Sequence, residues 1–324
     1  MTMHFDSIQE LVKEEIVLVH DMINQQFTSD VPLVNEIAGY VTKSQGKMIR
    51  PLMILLIAKS LNRCTHQHIQ LSTIVEFIHT ATLLHDDVVD NSIQRRGQEA
   101  THVIFGNQAA VLIGDFLYTR AFQLMTELEQ HSIMVEFAKT TNTLSEGEIL
   151  QLMHCGNLEL SQAEYMNIIY NKTACLFECC GKLSAWLSFK EGTIVQSCAQ
   201  YAKEIGYIFQ LVDDLLDYVG DTNMLGKNIG DDLSEGKLTL PIIYALSHLP
   251  NNKHMALRDI IQYKQVDKLE QLLDFLSEAG SFVYIKQLAQ EKANKAKQLL
   301  QSLPRNVYTQ ALYEFIELLL LRVV

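Results

Sequence analysis

Apolar residues recur along most of this chain at the three- and four-residue spacing of one helix face. The spacing predicts helices over 8–23, 69–90, 108–128, 133–152, 162–189, 194–218, 240–249, 266–279 and 283–303. Met53 to Ala58 is a further apolar stretch behind Pro51, a residue favoured in the first helical turn. The segment 315–324 is apolar apart from Glu317 and Arg322 and reads as a packed terminal helix. No run reaches the ~18 apolar residues that a membrane span needs. No alternating β-branched run bounded by turn residues occurs, so no sheet is expected. No linker rich in Pro, Gly or Ser divides the chain. The expectation is one all-α domain over residues 1–324, a bundle of ten or more helices.

Composition agrees. Hydrophobic residues make up 48% of the 324, enough for a large core. Gly 15 and Pro 5 are scarce, which suits helices better than turn-rich sheets. Lys+Arg 26 against Asp+Glu 38 leaves a net charge of −12 with no basic run, so no nucleic-acid partner is expected. Cys64, Cys155, Cys175, Cys179, Cys180 and Cys198 form no CxxC pair, and nothing at Met1 resembles a secretory signal. Reduced thiols in a cytoplasmic protein are the expectation.

One pattern occurs twice. Leu84-His85-Asp86-Asp87-Val88-Val89-Asp90 is echoed by Leu211-Val212-Asp213-Asp214-Leu215-Leu216-Asp217. Residues four apart share a helix face, which pairs Asp86 with Asp90 and Asp213 with Asp217. Three carboxylates near a helix C-terminus repel one another and oppose the macrodipole. A single copy reads equally well as a solvated helix end. Two copies set in apolar sequence point to a missing cation, and Mg²⁺ fits, because it takes one or two carboxylates and completes its shell with water and phosphate oxygens. An alternative starts from His85-Asp86 with His79 nearby, the dyad of all-α HD-type metal phosphohydrolases. It leaves Asp87, Asp90, Asp214 and Asp217 unexplained.

An acidic protein that binds diphosphate must place cations locally. Candidates are Lys47, Arg50, Arg95, Arg96, Lys172, Lys227 and Lys237. Arginine meets phosphate oxygens in bidentate fashion, and lysine acts as a point charge. Taken singly, each reads as a solvated surface charge, except Arg95 and Arg96, which follow the first acidic trio at loop distance.

These residues resemble a known family over nearly the whole chain, the trans-polyprenyl diphosphate synthases. The resemblance rests on Gly46-Lys47-Met48-Ile49-Arg50-Pro51, on Glu76-Phe77-Ile78-His79 through Asp90, and on Arg95-Arg96-Gly97. It continues through Gly114-Asp115-Phe116-Leu117, Glu146-Gly147-Glu148 with Gln151, Lys172-Thr173-Ala174, Phe209-Gln210 to Asp217, and Asp232 to Pro241. Within the family the chain looks most like the bacterial octaprenyl diphosphate synthases of quinone side-chain synthesis. It departs at Gln45, where the family has glycine, and at Met48, where the family has a basic residue.

The resemblance implies an isoprenoid-synthase bundle around a central cavity, with the acidic patterns on facing walls, and a homodimer. Asp86, Asp87, Asp90, Asp213, Asp214, Asp217 and Lys172 would be the catalytic set. Asp86, Asp90 and Asp213 would hold two or three Mg²⁺ per site. Arg95, Lys172, Thr173, Gln210, Lys227 and Lys237 would meet the allylic diphosphate, with Thr173 and Gln210 at the reacting carbon. Gly46, Lys47, Arg50, His79 and Arg96 would hold isopentenyl diphosphate without metal. The implied reaction ionises the allylic diphosphate, adds the isopentenyl double bond to the cation and loses a proton. It needs no side-chain nucleophile. Thr82 and Ala81, four and five residues before Asp86, are expected on nearly its face and along the path of the growing chain. Both are small where short-chain relatives carry bulk, so the expected product is long, with Met125 as a candidate floor. Heptaprenyl or hexaprenyl products, or a catalytic subunit of a two-part synthase, are the alternatives within the family. A terpene cyclase would have no use for Lys47, Arg50 and Arg96, and non-catalytic subunits lose the aspartates kept here. Product release implies a transient membrane contact without a transmembrane segment.

Overall fold

The structure is a computed structural model and describes residues 5–43, 46–189, 192–219 and 230–323. Helices dominate it, as the periodicity predicts. The described chain falls into two compact units, each assembled from separate stretches. The first comprises 1–141, 177–202 and 299–315, and the second 142–176, 203–298 and 316–324.

In the first unit the His66–Val89 helix is central and packs against Lys13–Gln26, Ile49–Ser60 and Asn107–Glu127. Leu52 to Ala58 are all fully buried, which explains why that stretch is apolar all round rather than striped. The central helix begins at Thr65 with a reciprocal side-chain cap to His68. It ends in a Schellman motif: the Ser92 amide donates to the Asp87 carbonyl at 3.0 Å and that of Asn91 to Val88 at 3.4 Å. Asn91 supplies the left-handed residue, φ 54°. In the second unit, Leu211, Leu215 and Tyr218 of the Thr193–Val219 helix share a core with Tyr165, Ile169, Leu240 and Leu276.

Some boundaries differ from expectation. The 8–23 segment is two helices, Phe5–Glu10 and Lys13–Gln26, broken by a turn at Leu11-Val12. The 162–189 segment is interrupted by a π turn at Tyr170–Ala174. Helices Pro32–Lys43 and Asn251–Gln262 depart from expectation; each buries only three residues. Among the described residues the only strand pairing is a two-residue ladder, Gln94–Arg95 with Gln98–Glu99.

Candidate active site

The first acidic pattern occupies the last turn of His66–Val89 and its C-cap. Asp86 and Asp90 share a partly exposed face, while Asp87 points elsewhere and is only 3% exposed. Arg95 holds Asp87 in place. Its Nε and one terminal nitrogen donate to Asp87 Oδ1 at 2.8 and 2.5 Å. The trio therefore divides: one carboxylate orients an arginine, and two present hard oxygen donors on the same side. That donor chemistry fits Mg²⁺. Among the described residues no group of three His, Cys, Asp or Glu side chains forms a ready-made cage.

Arg95 sits in the small hairpin, and Arg96-Gly97 makes its two-residue turn with φ of 53° and 75°. Both values are positive, as a type I′ turn requires. The left-handed conformation costs a non-glycine residue ~1–2 kcal/mol, so the fold holds Arg96 there against its preference. Gly46 lies against the Arg96 guanidinium; a Cβ at 46 would stand 2.7 Å from Arg96 Cζ and displace it. Arg50, 8% exposed, lies 4.5 Å above the Phe177 ring, a cation–π contact that fixes its guanidinium. Lys47 is exposed, with its ammonium 5.3 Å from the Phe5 ring centre.

Two titratable groups on the central helix respond to these cations. Burial raises the Glu76 carboxyl, while Arg50 and Arg96 pull it the other way. Burial, and then Arg50, Arg96 and Arg95, hold the His79 imidazole well below its usual value. It is therefore neutral and keeps one N–H to donate. A cavity of about 60 Å³ opens beside this group, lined by Tyr40, Glu76, Thr80, Asp87, Arg95 and Arg96 among others.

In the second unit the chain is directed by the π turn, which carries Lys172 and Thr173. Gly147 of the His131–Met153 helix admits that turn: a Cβ there would come 2.6 Å from the Lys172 backbone nitrogen. Lys172 donates to Glu148 at 2.7 Å. Thr173 Oγ1 lies 2.7 Å from Gln210 Oε1, and Gln210 Nε2 lies 2.6 Å from Asp214 Oδ1. The second Asp214 oxygen accepts from the Tyr165 hydroxyl at 2.5 Å. Burial, and then Asp214, push the Tyr165 phenol well up, so it remains a donor. The second trio thus divides as the first does. Asp214 is buried and tied to neighbours, while Asp213 is partly exposed, with Arg322 at 3.9 Å. Asp217 accepts the Asp232 amide at 3.3 Å. Lys237 pairs with Glu235 at 2.6 Å. Lys227 and Gln45 lie outside the described residues.

Two expectations need correction. His85 is a packing residue: its ring lies against Gly114, and Nε2 is 3.1 Å from the Val111 carbonyl. The HD-type alternative loses its histidine ligand. Thr82 and Ala81 do not share a face. Four residues turn a helix ~40° past a full turn and five ~140°. Thr82 is therefore close to the Asp86 face, whereas Ala81, fully buried, lies one turn before His85. Met125 is also buried.

Four neighbours of the site went unassigned in the sequence. Glu76 and Glu148 stand within recognisable motifs, three residues from His79 and one from Gly147, and could have been suspected. Tyr165 and Arg322 are distant in sequence from the aspartates they approach and carry no local signal.

Comparison with known proteins places this arrangement. Residues 31–279 match the polyprenyl synthetase family. Octaprenyl diphosphate synthase of Haemophilus influenzae is 43% identical over 96% of this chain and 94% of its own. That of Escherichia coli is 41% identical over 96% of both. A Caulobacter crescentus polyprenyl synthase, solved with calcium and isoprenyl diphosphate, superposes with a TM-score of 0.95 at 35% identity, covering 100% of this chain and 99% of that one. The chain belongs to the polyprenyl synthetase family, and it is a prenyltransferase.

Proposed function

We propose that the protein condenses isopentenyl diphosphate with an allylic diphosphate, such as farnesyl diphosphate, to give all-trans octaprenyl diphosphate for a quinone side chain. The octaprenyl length rests on relatives of that name at 43% and 41% identity. The observation that carries the reading is a division of labour around the His66–Val89 helix. Asp86 and Asp90 offer oxygen donors on one face, while Arg50, Arg96 and neutral His79 gather where a second anion can be held without metal. One enzyme binding two diphosphates by two chemistries is what a condensation of two diphosphates requires.

Asp86, Asp90 and Asp213 would hold Mg²⁺. When bound, it neutralises charge on the departing diphosphate and so favours ionisation. Arg95, steered by Asp87, and Lys172, steered by Glu148, would receive the same diphosphate oxygens. Lys237 would join them. Lys47, Arg50, His79 and Arg96, with Gly46 giving room, would fix isopentenyl diphosphate so that its double bond reaches the allylic carbon. Thr173 and Gln210 would face that carbon. The carbon–oxygen bond breaks with its electron pair leaving on diphosphate; the double bond attacks, and a proton departs. Thr82 would line the path of the growing chain, with Ala81 and Met125 shaping it from behind.

Val103, Ile104, Val111 and Leu112 stand 39–66% exposed on consecutive helices of the first unit, an apolar surface that supports a homodimer. No helix among the described residues is long and apolar enough to cross a membrane. We place the enzyme in the cytoplasm, with a transient membrane contact for product release.

The test is chromatography of the product made by the purified protein from isopentenyl and farnesyl diphosphates with Mg²⁺. Octaprenyl diphosphate is expected, and EDTA should abolish its formation. A product that stops at geranylgeranyl, or turnover that survives EDTA, would contradict the reading.

A further inference from the structure

Four side chains in the second unit form one directional chain, and its far end is a residue with no part in diphosphate binding. Asp214 is acceptor-only when ionised, so Gln210 must turn its Nε2 toward the carboxylate. That leaves Gln210 Oε1 facing Thr173, so the Thr173 hydroxyl must donate its proton there. With that proton committed, the Thr173 oxygen presents only lone pairs elsewhere. The orientation is fixed at each step by hydrogen-bonding capacity rather than by choice of rotamer. Tyr165 closes the chain by donating to the second Asp214 oxygen. It pins the carboxylate against rotation and orders the three groups beyond it.

We propose that Tyr165 is a positioning residue for prenyl transfer, acting through Asp214 and Gln210 to turn the Thr173 lone pairs toward the carbon that becomes cationic. A carbocation is stabilised by oriented lone pairs and carbonyl dipoles that need no reorganisation as charge develops. A flipped Gln210 amide would instead donate to the Thr173 oxygen and free the Thr173 proton to turn toward that carbon. Asp214 then serves as the anchor of this chain, and metal binding in the second trio falls to Asp213 with help from Asp217. The inference rests on the proposed prenyltransferase reading, and on Thr173 and Gln210 lying at the reacting carbon.

The experiment is a double-mutant cycle on the full-length enzyme with Mg²⁺, isopentenyl diphosphate and farnesyl diphosphate. Tyr165→Phe removes one hydroxyl and keeps the ring. It should lower kcat about ten- to hundredfold, the loss that accompanies a deleted hydrogen bond to a charged group. The KM for each diphosphate should stay within about twofold, because no diphosphate ligand is touched. Gln210→Ala should lower kcat at least as much, and the double variant should be no slower than Gln210→Ala alone. Unchanged kcat in Tyr165→Phe, or additive losses in the double variant, would overturn the proposal. A lowered Tm with unaltered kcat would do the same, since it assigns Tyr165 to packing alone. If Tyr165→Phe does not fold, Gln210→Glu provides the second arm. It sets a carboxylate against Asp214 and removes the donor, so kcat should fall at unchanged KM; wild-type kcat there would overturn the proposal. A wild-type protein with no prenyl transfer would instead refute the underlying function, whatever the variants do.

Discussion

Arg50 and Arg95 are both buried or half-buried guanidinium groups, yet their neighbours assign them different work. Arg50 rests on an aromatic face near Glu76 and His79, while Arg95 is locked to the buried Asp87. Arg50→Ala should therefore raise the KM for isopentenyl diphosphate about ten- to hundredfold, with little effect on the allylic substrate. Arg95→Ala should do the reverse. It should also lower the Tm, because it strands a carboxylate that is 3% exposed. Steady-state kinetics with each substrate varied in turn checks this, and equal effects of both variants on both substrates would contradict it. At this scale the sequence carried the identity of the charges but not their pairing. The four-residue spacing groups Asp86 with Asp90, and nothing in it says that Asp87 turns inward to Arg95. Tyr165 was invisible for a simpler reason: it reaches Asp214 across 49 positions of chain.

The element that most shapes the second unit is the π turn. It inserts one residue into a helical turn, and such insertions recur at functional sites. Its close seat against Gly147 makes a sharp prediction. Gly147→Ala places a methyl group 2.6 Å from a backbone nitrogen that cannot rotate away. Overpacking of this kind costs about 1–3 kcal/mol. Thermal denaturation should show the loss, and kinetics should show a raised KM for the allylic diphosphate as Lys172 and Thr173 shift. Unchanged values of both would mean that the two segments are not held together in solution. Periodicity over 162–189 read as one helix because a single inserted residue leaves apolar positions on either side in acceptable phase. Pro32–Lys43 carried a shorter signal, since Val34, Ile37 and Ala38 are buried but Val41 only half-buried on the same face. The long central helix was legible to within three residues at its start and one at its end, because its apolar run is long and Asn91 stops it.

At the scale of the whole molecule, His68, which is fully buried, and His79, which is half-buried, set an acid limit. Burial lowers His68, opposed by its contacts with Ser184 and Thr65; burial together with three arginines lowers His79 further. Both stay neutral in the fold, whereas in the unfolded chain they take up protons below their usual value near 6.5. The unfolded state thus binds more protons in that range, and stability rises with pH there. Their contribution is fully present above about pH 6.5 and is lost as pH falls toward the depressed folded values. The substrate-free enzyme should show a Tm that drops between pH 7 and pH 5, and His79→Gln should flatten that drop. An identical slope in the variant would remove His79 from the account.

The two compact units are woven from one thread. The first needs 299–315 to complete a body that also takes in 1–141 and 177–202. The second needs 316–324. During synthesis, neither unit can reach its full complement of contacts until residues 299–324 have been made. The nascent chain therefore holds Met53 to Ala58 and the helices around them in an incomplete state until then. A chain broken off before residue 299 would not yield one good half and one bad half. It would leave both unfinished, so the two bodies stand or fall together in production.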